Sequence, residues 1–103
     1  LTMEIDIPAR VAKGVEKLDA NRRNWRGEIN KDALNMSSPN QCVLGQLYGG
    51  YTDGIWELVI VSGAPYGFDF TADEMHDLPV DCFDQLQAEW LRAINAGGVK
   101  CVP

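Results

Sequence analysis

The stretch Cys42-Val-Leu-Gly-Gln-Leu-Tyr-Gly-Gly-Tyr51 is the most distinctive string in this chain of 103 residues, and it decides the fold class. Its apolar side chains at positions 44, 47, 48 and 51 recur with the spacing of one face of an α-helix. Gly49 and Gly50 then supply the residue type that most often ends a helix. Gly45 lies inside the stretch and costs about 1 kcal/mol relative to alanine, a cost usually accepted where another backbone comes close. The stretch therefore predicts a central helix packed tightly against a neighbour.

The residues before this stretch predict where the central helix begins. Ser38 can serve as the N-cap, and Pro39 suits the first helical position. Gln41 lies three residues after Ser38, which completes the Ser-x-x-Gln pattern of a capping box. We therefore predict that the central helix begins directly after Ser38.

Capping signals and apolar periodicity predict two helices on the N-terminal side. Asp6 as an N-cap, with Pro8 in the first turn, predicts a helix over residues 7–20. Asn30 is the expected N-cap of a short helix over residues 31–35. Ile29 and Leu34 occupy the positions of a hydrophobic staple for that short helix.

The same signals predict two helices on the C-terminal side. One helical turn is expected over residues 72–77, ahead of Pro79. A final helix opens at Val80 or Asp81, and Gly97-Gly98 closes it. Its inward stripe consists of Phe83, Leu86, Trp90, Ala93 and Ile94.

Residues 52–63 fit two structures. Thr52 could cap a helix that carries Ile55, Trp56, Val59 and Ile60 inward. Residues 58–61 (Leu-Val-Ile-Val) are instead rich in β-formers and could be a buried strand. We favour the helix.

These patterns together predict a single domain over residues 1–103 that is mainly α, a small bundle of four to five short helices. The ends, residues 3–7 and 99–103, alternate in polarity and could pair as short extended segments. Trp25, Trp56 and Trp90 lie in three different elements. Aromatic residues of so small a fold are mostly core, although one tryptophan could be an exposed interface anchor.

The charge distribution indicates what kind of partner the chain could bind. The formal net charge is −6 and the pI is about 4.5, which argues against non-specific binding to nucleic acid or to an anionic membrane. Residues 69–89 contain seven acidic residues and no Lys or Arg. This acidic run is either a solvated face that aids solubility or a surface for a basic partner. The candidate partner-binding residues are Asp69, Asp73, Glu74, Asp77, Asp81 and Asp84.

No catalytic or metal-binding motif is visible. The single histidine, His76, lies in an acidic segment without a nucleophile motif nearby. Cys42, Cys82 and Cys101 are too few for a disulfide framework and indicate a reducing cytosol. They also lack the close pairs that structural zinc sites use. The chain has no run of 18 apolar residues and no signal-peptide pattern at its N-terminus. We therefore expect no catalytic residue, metal, cofactor or membrane span.

Three separate segments carry a resemblance to a known group of proteins. They are Trp25-x3-Ile29, Leu34-x-Met36-Ser37, and Cys42-Val-Leu-Gly-Gln-Leu-Tyr-Gly-x-Tyr51-x2-Gly54. Gly67-Phe68 and a Leu-x3-Trp pair on the last helix (Leu86, Trp90) are also similar. The pattern as a whole, about residues 8–95, resembles a group of small proteins of actinobacteria and their phages, of the mycobacteriophage type. Members often carry a second cysteine where this chain has Asn40, and this departure weakens any metal site shared across the group. The resemblance implies no activity. It implies a phage or host-bacterium setting, in which compact acidic proteins often act by binding another protein.

Three functional hypotheses follow. The first is a non-enzymatic phage-type protein that binds a host protein in the bacterial cytoplasm. The alternative is an acidic DNA mimic or anti-defence protein, which would use the acidic run to occupy a nucleic-acid site. The second alternative is a small-ligand binder or enzyme around Cys42, Gln46 and Tyr48, which requires a concave pocket that exposes those three side chains.

Overall fold

Helices account for all the regular structure in the computed structural model, which describes residues 6–78 and 81–99. The six α-helices are α1 (Ile7–Asn21), α2 (Trp25–Glu28), α3 (Val43–Tyr48), α4 (Tyr51–Leu58), α5 (Ala72–Asp77) and α6 (Cys82–Val99), and a 3₁₀ helix covers Ala64–Tyr66. None of the described residues forms a strand. The predicted mainly α class is therefore confirmed, and the described residues contain six α-helices where four or five were predicted. The predicted pairing of the chain ends lies almost wholly outside the described residues.

The first helix matches its prediction because its N-terminal signal is local. The Asp6 side chain accepts a hydrogen bond from the Ala9 backbone amide at 3.0 Å, and Pro8 lies in the first turn. Val11 and Leu18 form the buried face of α1. This face packs against α6 and the 3₁₀ helix.

The predicted start of the central helix is wrong, since α3 begins at Val43 and not after Ser38. The segment after Ser38 forms turns, because the carbonyls of Pro39 and Gln41 accept hydrogen bonds from amides other than the amides four residues further along the chain, which a helix would require. The Pro39 carbonyl accepts from the Tyr51 amide at 2.9 Å, and the Gln41 carbonyl accepts from the Asn35 amide at 3.1 Å. Cys42 replaces Ser38 as the N-cap, and its Sγ accepts from the Gly45 amide at 3.3 Å.

The expected close approach at Gly45 is confirmed, and its source is the turn before α3. A Cβ at Gly45 would lie within 2.5 Å of the Asn40 carbonyl carbon. The end of the helix also follows the prediction, because Gly49 takes the left-handed conformation with φ of 89°. α3 then packs on α4.

The short helix predicted over residues 31–35 is wrong, because residues 31–33 form a turn and residues 34 and 35 are irregular. The Asn30 side chain accepts from the Asp32 amide at 3.1 Å, which closes a side-chain turn instead of a helix. Gln46 holds the same segment through both ends of its amide group. Its Oε1 accepts from the Asn30 amide at 2.7 Å, and its Nε2 donates to the Asn30 carbonyl at 3.2 Å. Ile29 and Leu34 are both buried nonetheless.

The two C-terminal helices were predicted well at their starts. α5 covers Ala72–Asp77 as expected, with a capping box formed by Thr71 and Glu74. α6 begins at Cys82, one residue after Asp81. Its predicted end at Gly97-Gly98 is wrong, because the helix continues through both glycines to Val99.

An aromatic cluster joins α1, α2 and α6 at the centre of the core. Trp90 is fully buried, stacks on Phe68 with ring centroids 5.4 Å apart, and meets the Trp25 ring edge-on at 5.9 Å. The Trp90 Nε1 donates to the Gly67 carbonyl at 2.6 Å. Gly14 leaves the space for this ring, since a Cβ there would lie 2.9 Å from it.

Candidate binding surface

The ambiguous segment, residues 52–63, is helical only as far as Leu58, and the helix does not bury the side chains that its apolar pattern predicts. α4 buries Gly54 and Leu58, whereas Trp56 is 78% exposed and Val59 is 85% exposed. The inward orientation predicted for Trp56 and Val59 is therefore wrong. Gly54 decides the orientation, because a Cβ there would lie only 2.7 Å from Leu44 Cβ. The close contact between α3 and α4 thus turns the large apolar side chains away from the core.

The C-terminus of α4 ends in a Schellman motif with an unusual residue. The Ile60 amide donates to the Ile55 carbonyl at 3.3 Å, and the Val59 amide donates to the Trp56 carbonyl at 3.1 Å. Val59 takes the left-handed conformation of this motif, with φ of 57°. This position normally holds glycine, because a β-branched side chain is strained there. The strain of Val59 lies on the exposed surface, where its side chain gains little from burial.

Five apolar residues at this end of α4 form one surface, which we call the α4 patch. They are Ile55, Trp56, Val59, Ile60 and Val61. They line a shallow depression of about 370 Å³. Val61 is fully exposed, and the side chains of Ile55 and Ile60 are partly buried against the core. Sequence periodicity missed this surface because apolar residues at helical spacing usually face inward.

The acidic run contains both engaged and exposed carboxylates. Glu74 binds the Arg10 guanidinium through both of its oxygens, at 3.0 and 2.5 Å, and also accepts from the Thr71 amide. Asp69 is half-buried and accepts from its neighbouring Phe70 amide at 2.8 Å. Asp73, Asp81 and Asp84 are exposed, and the structure does not describe the side chain of Asp77. Asp81 also accepts a hydrogen bond from Gln85 Nε2 at 3.1 Å, so three of the six candidate partner-binding residues already make contacts within the fold.

Glu74 should make stability depend on pH. The Arg10 guanidinium holds the pKa of Glu74 below its ordinary value. A lowered folded-state pKa contributes stability above the unfolded pKa of about 4.3, and this contribution is lost as the pH falls through the folded pKa. We expect Glu74→Gln to lower the free energy of unfolding by about 1–2 kcal/mol at neutral pH. The difference should shrink as the pH falls below about 4.

Urea denaturation of both proteins between neutral and acidic pH measures this difference. Glu16→Gln is the matched control, because Glu16 is an exposed glutamate of α1. It should change stability by less than about 0.5 kcal/mol at any pH. A Glu74→Gln effect that stays constant down to acidic pH would show that the Arg10 contact does not stabilise the ionised carboxylate.

The three side chains of the ligand-binding hypothesis are engaged in structural contacts. Cys42 is 2% exposed, and burial raises the pKa of its thiol. Gln46 holds the turn at Asn30, as described above. Tyr48 lies beneath the Arg22 guanidinium, which is 5.0 Å from its ring centroid. A cleft of about 140 Å³ opens beside Cys42 next to Tyr51 and Asp69, but Tyr48 lines a different depression.

The two other cysteines and the single histidine do not form a recognisable catalytic or metal-binding group within the described residues. Cys82 is buried, His76 is exposed on α5, and Cys101 lies outside the described residues. Within residues 6–78 and 81–99, no three His, Cys, Asp or Glu side chains are grouped as metal ligands would be.

In the described part of the chain, no helix combines the length and the apolar character needed to cross a bilayer. No family model, curated protein or solved structure matches this chain.

Proposed function

We propose that this chain is a non-enzymatic protein that binds another protein through the α4 patch. The observation that carries this proposal is the exposure of Trp56 together with Val59 and Val61. A small domain needs its large apolar residues for the core, and Trp25 and Trp90 are indeed buried. A group of exposed apolar side chains is typical of an interaction site, and tryptophan is enriched among the residues that dominate binding energy.

The strained backbone of Val59 is a second argument that the α4 patch is the binding site. A left-handed conformation costs an L-residue roughly 1–2 kcal/mol, and glycine would avoid most of this cost. Strained residues often lie at binding sites, where they have a role other than stability. The valine side chain therefore contributes to the apolar surface at the expense of the fold.

The proposed partner is a host protein in the cytoplasm of a bacterium. The resemblance of the Cys42–Tyr51 stretch to actinobacteriophage proteins supports this setting. The net charge of −6 supports a protein partner over nucleic acid or an anionic membrane. The α4 patch is a stronger candidate than the acidic run, because Glu74 and Asp69 already make contacts within the fold.

Affinity capture from an actinobacterial host lysate tests the proposal when three baits are compared. The baits are the wild type, Trp56→Ala, and the double variant Asp73→Lys/Asp84→Lys, each shown to be folded by thermal unfolding. We expect a specific protein to be captured by the wild type and by the double variant, and to be lost with Trp56→Ala. Loss with the double variant alone would assign binding to the acidic run. The absence of any specific partner would contradict the binding function itself.

Val59→Gly should separate stability from binding. We expect this variant to raise the free energy of unfolding by about 1 kcal/mol, because glycine adopts the left-handed conformation without strain. It should also weaken capture of the partner, since part of the α4 patch is removed. Asn24→Gly is the matched control, because Asn24 is also left-handed, with φ of 61°, but is a residue type that tolerates this conformation. A destabilised Val59→Gly protein with unchanged capture would count against both parts of the argument.

A further inference from the structure

Trp56 lines two shallow depressions of different character. The first is the depression of the α4 patch, lined only by apolar residues. The second is a depression of about 450 Å³, lined by Arg22, Leu47, Tyr48, Asp53, Trp56 and Glu57. Asp53, Trp56 and Glu57 occupy positions i, i+3 and i+4 of α4, so they share one face of the helix. A ligand lying across Trp56 would therefore meet an apolar surface and a polar one together.

The second depression carries an excess of negative charge. The Asp53 and Glu57 side chains are exposed and make no hydrogen bond or ion pair with any described residue. Arg22, the cation in this depression, is neutralised by Glu28, with Nη2 2.7 Å from Oε1. The sequence offers no other cation nearby along the chain, since residues 32–91 contain no Lys or Arg. The two carboxylates near the exposed Trp56 can therefore pair with a positive charge on a ligand.

We infer that the occupant is a segment of another protein that carries Lys or Arg beside a large apolar side chain. This inference rests on the proposed binding function of the α4 patch. The apolar side chain enters the apolar depression. The cation lies against the Trp56 ring, towards Asp53 and Glu57, where cation–π attraction and charge pairing act together.

A second copy of this chain fits the surface less well. A two-fold contact centred on Trp56 would place the same patch on both sides of the interface. Asp53 and Glu57 would then face their own counterparts, and like charges across an interface are unfavourable. A segment of a different protein that carries a cation beside an apolar side chain fits both depressions, because the cation pairs with Asp53 and Glu57 and the apolar side chain contacts the α4 patch.

Two tryptophan-free synthetic peptides test this chemistry directly. One is a short amphipathic peptide of Leu and Lys, and the other has Glu in place of each Lys. Fluorescence anisotropy of the labelled peptides gives the affinity, and a blue shift of tryptophan emission reports burial of Trp56, since Trp25 and Trp90 are already buried. At low salt we expect the Lys peptide to bind at least about tenfold more tightly than the Glu peptide.

Variants with equal changes in net charge separate local from overall electrostatics. We expect Asp53→Lys/Glu57→Lys to weaken binding of the Lys peptide by about tenfold or more, and Asp53→Asn/Glu57→Gln by about threefold. The matched control is Glu16→Lys/Asp32→Lys, whose exposed carboxylates line neither depression. This control should weaken binding by less than about threefold. Equal losses in the two Lys double variants would overturn the inference.

The remaining outcomes distinguish the inference from the function on which it rests. If Trp56→Ala binds the Lys peptide as tightly as the wild type, both fail together. If Trp56→Ala abolishes binding but Asp53→Lys/Glu57→Lys does not weaken it, the α4 patch stands and the basic partner is wrong. A dimer in sedimentation that buries Trp56 would assign the surface to a second copy. A blue shift of equal size with phosphatidylcholine vesicles would assign it to lipid, and either result would overturn the inference.

Discussion

Trp90→Ala is expected to remove about 3–5 kcal/mol from the free energy of unfolding, a large part of the roughly 5–15 kcal/mol that holds a domain folded. Trp90 is fully buried and contacts both Phe68 and Trp25 through its ring. Its loss would leave a cavity at the junction of α1, α2 and α6. It would also leave the Gly67 carbonyl without the indole donor that it has at 2.6 Å.

Trp56→Ala is the matched control, because it is the same substitution at an exposed tryptophan. Trp56 is 78% exposed, so its replacement should change stability by less than about 0.5 kcal/mol. Urea denaturation followed by circular dichroism measures both variants, with the midpoint and the slope compared to those of the wild type. Equal losses of stability at the two positions would contradict the assignment of Trp90 to the core and of Trp56 to the surface.

Gly45→Ala should destabilise the fold by about 1–3 kcal/mol, although alanine is ordinarily the better helix former. The added methyl group would lie within 2.5 Å of the Asn40 carbonyl carbon. Backbone atoms cannot move aside as a flexible side chain can, so the turn before α3 must shift. That shift would also disturb the hydrogen bond between the Tyr51 amide and the Pro39 carbonyl, which joins this turn to α4.

Gly27→Ala provides the comparison for Gly45→Ala. Gly27 lies in α2, and a Cβ at this position would meet nothing within 4 Å. The substitution should therefore raise stability by up to about 1 kcal/mol, as helix propensity alone predicts. The midpoint of urea denaturation measures both variants. A gain at Gly45 equal to that at Gly27 would show that the turn yields easily and that the close approach is not required.

Signals contained within a few residues predicted their local structures well. The Asp6 cap of α1 and the end of α3 at the glycines Gly49 and Gly50 were both expected, and both were found. The bounds of α5, Ala72–Asp77, were also correct. In each case the hydrogen bond that defines the feature joins residues at most four apart, so the relevant partners are adjacent in the sequence.

The candidate site could not be predicted in the same way. The acidic run was visible as composition, but its link from Glu74 to Arg10 spans 64 positions in the chain. The exposure of Trp56 was missed because the apolar spacing of α4 is typical of a core helix. Nothing in the periodicity marks Gly54 as the residue that faces α3.

Composition, helical spacing and short-range caps were sufficient to establish a mainly α domain and the places where α1, α5 and α6 begin. The start of α3 and the exposed face of α4 depended on contacts between distant residues. The Ser38 side chain accepts from the Asn40 amide and the Pro39 carbonyl accepts from the Tyr51 amide, so that α3 begins only at Val43. Gly54 packs on Leu44, so that Trp56 faces outward. A backbone carbonyl accepts few hydrogen bonds, and two packed helices touch most closely at one place. Which amide bonds to the Pro39 carbonyl and which face of α4 is exposed therefore depend on the folded chain and not on the neighbouring sequence.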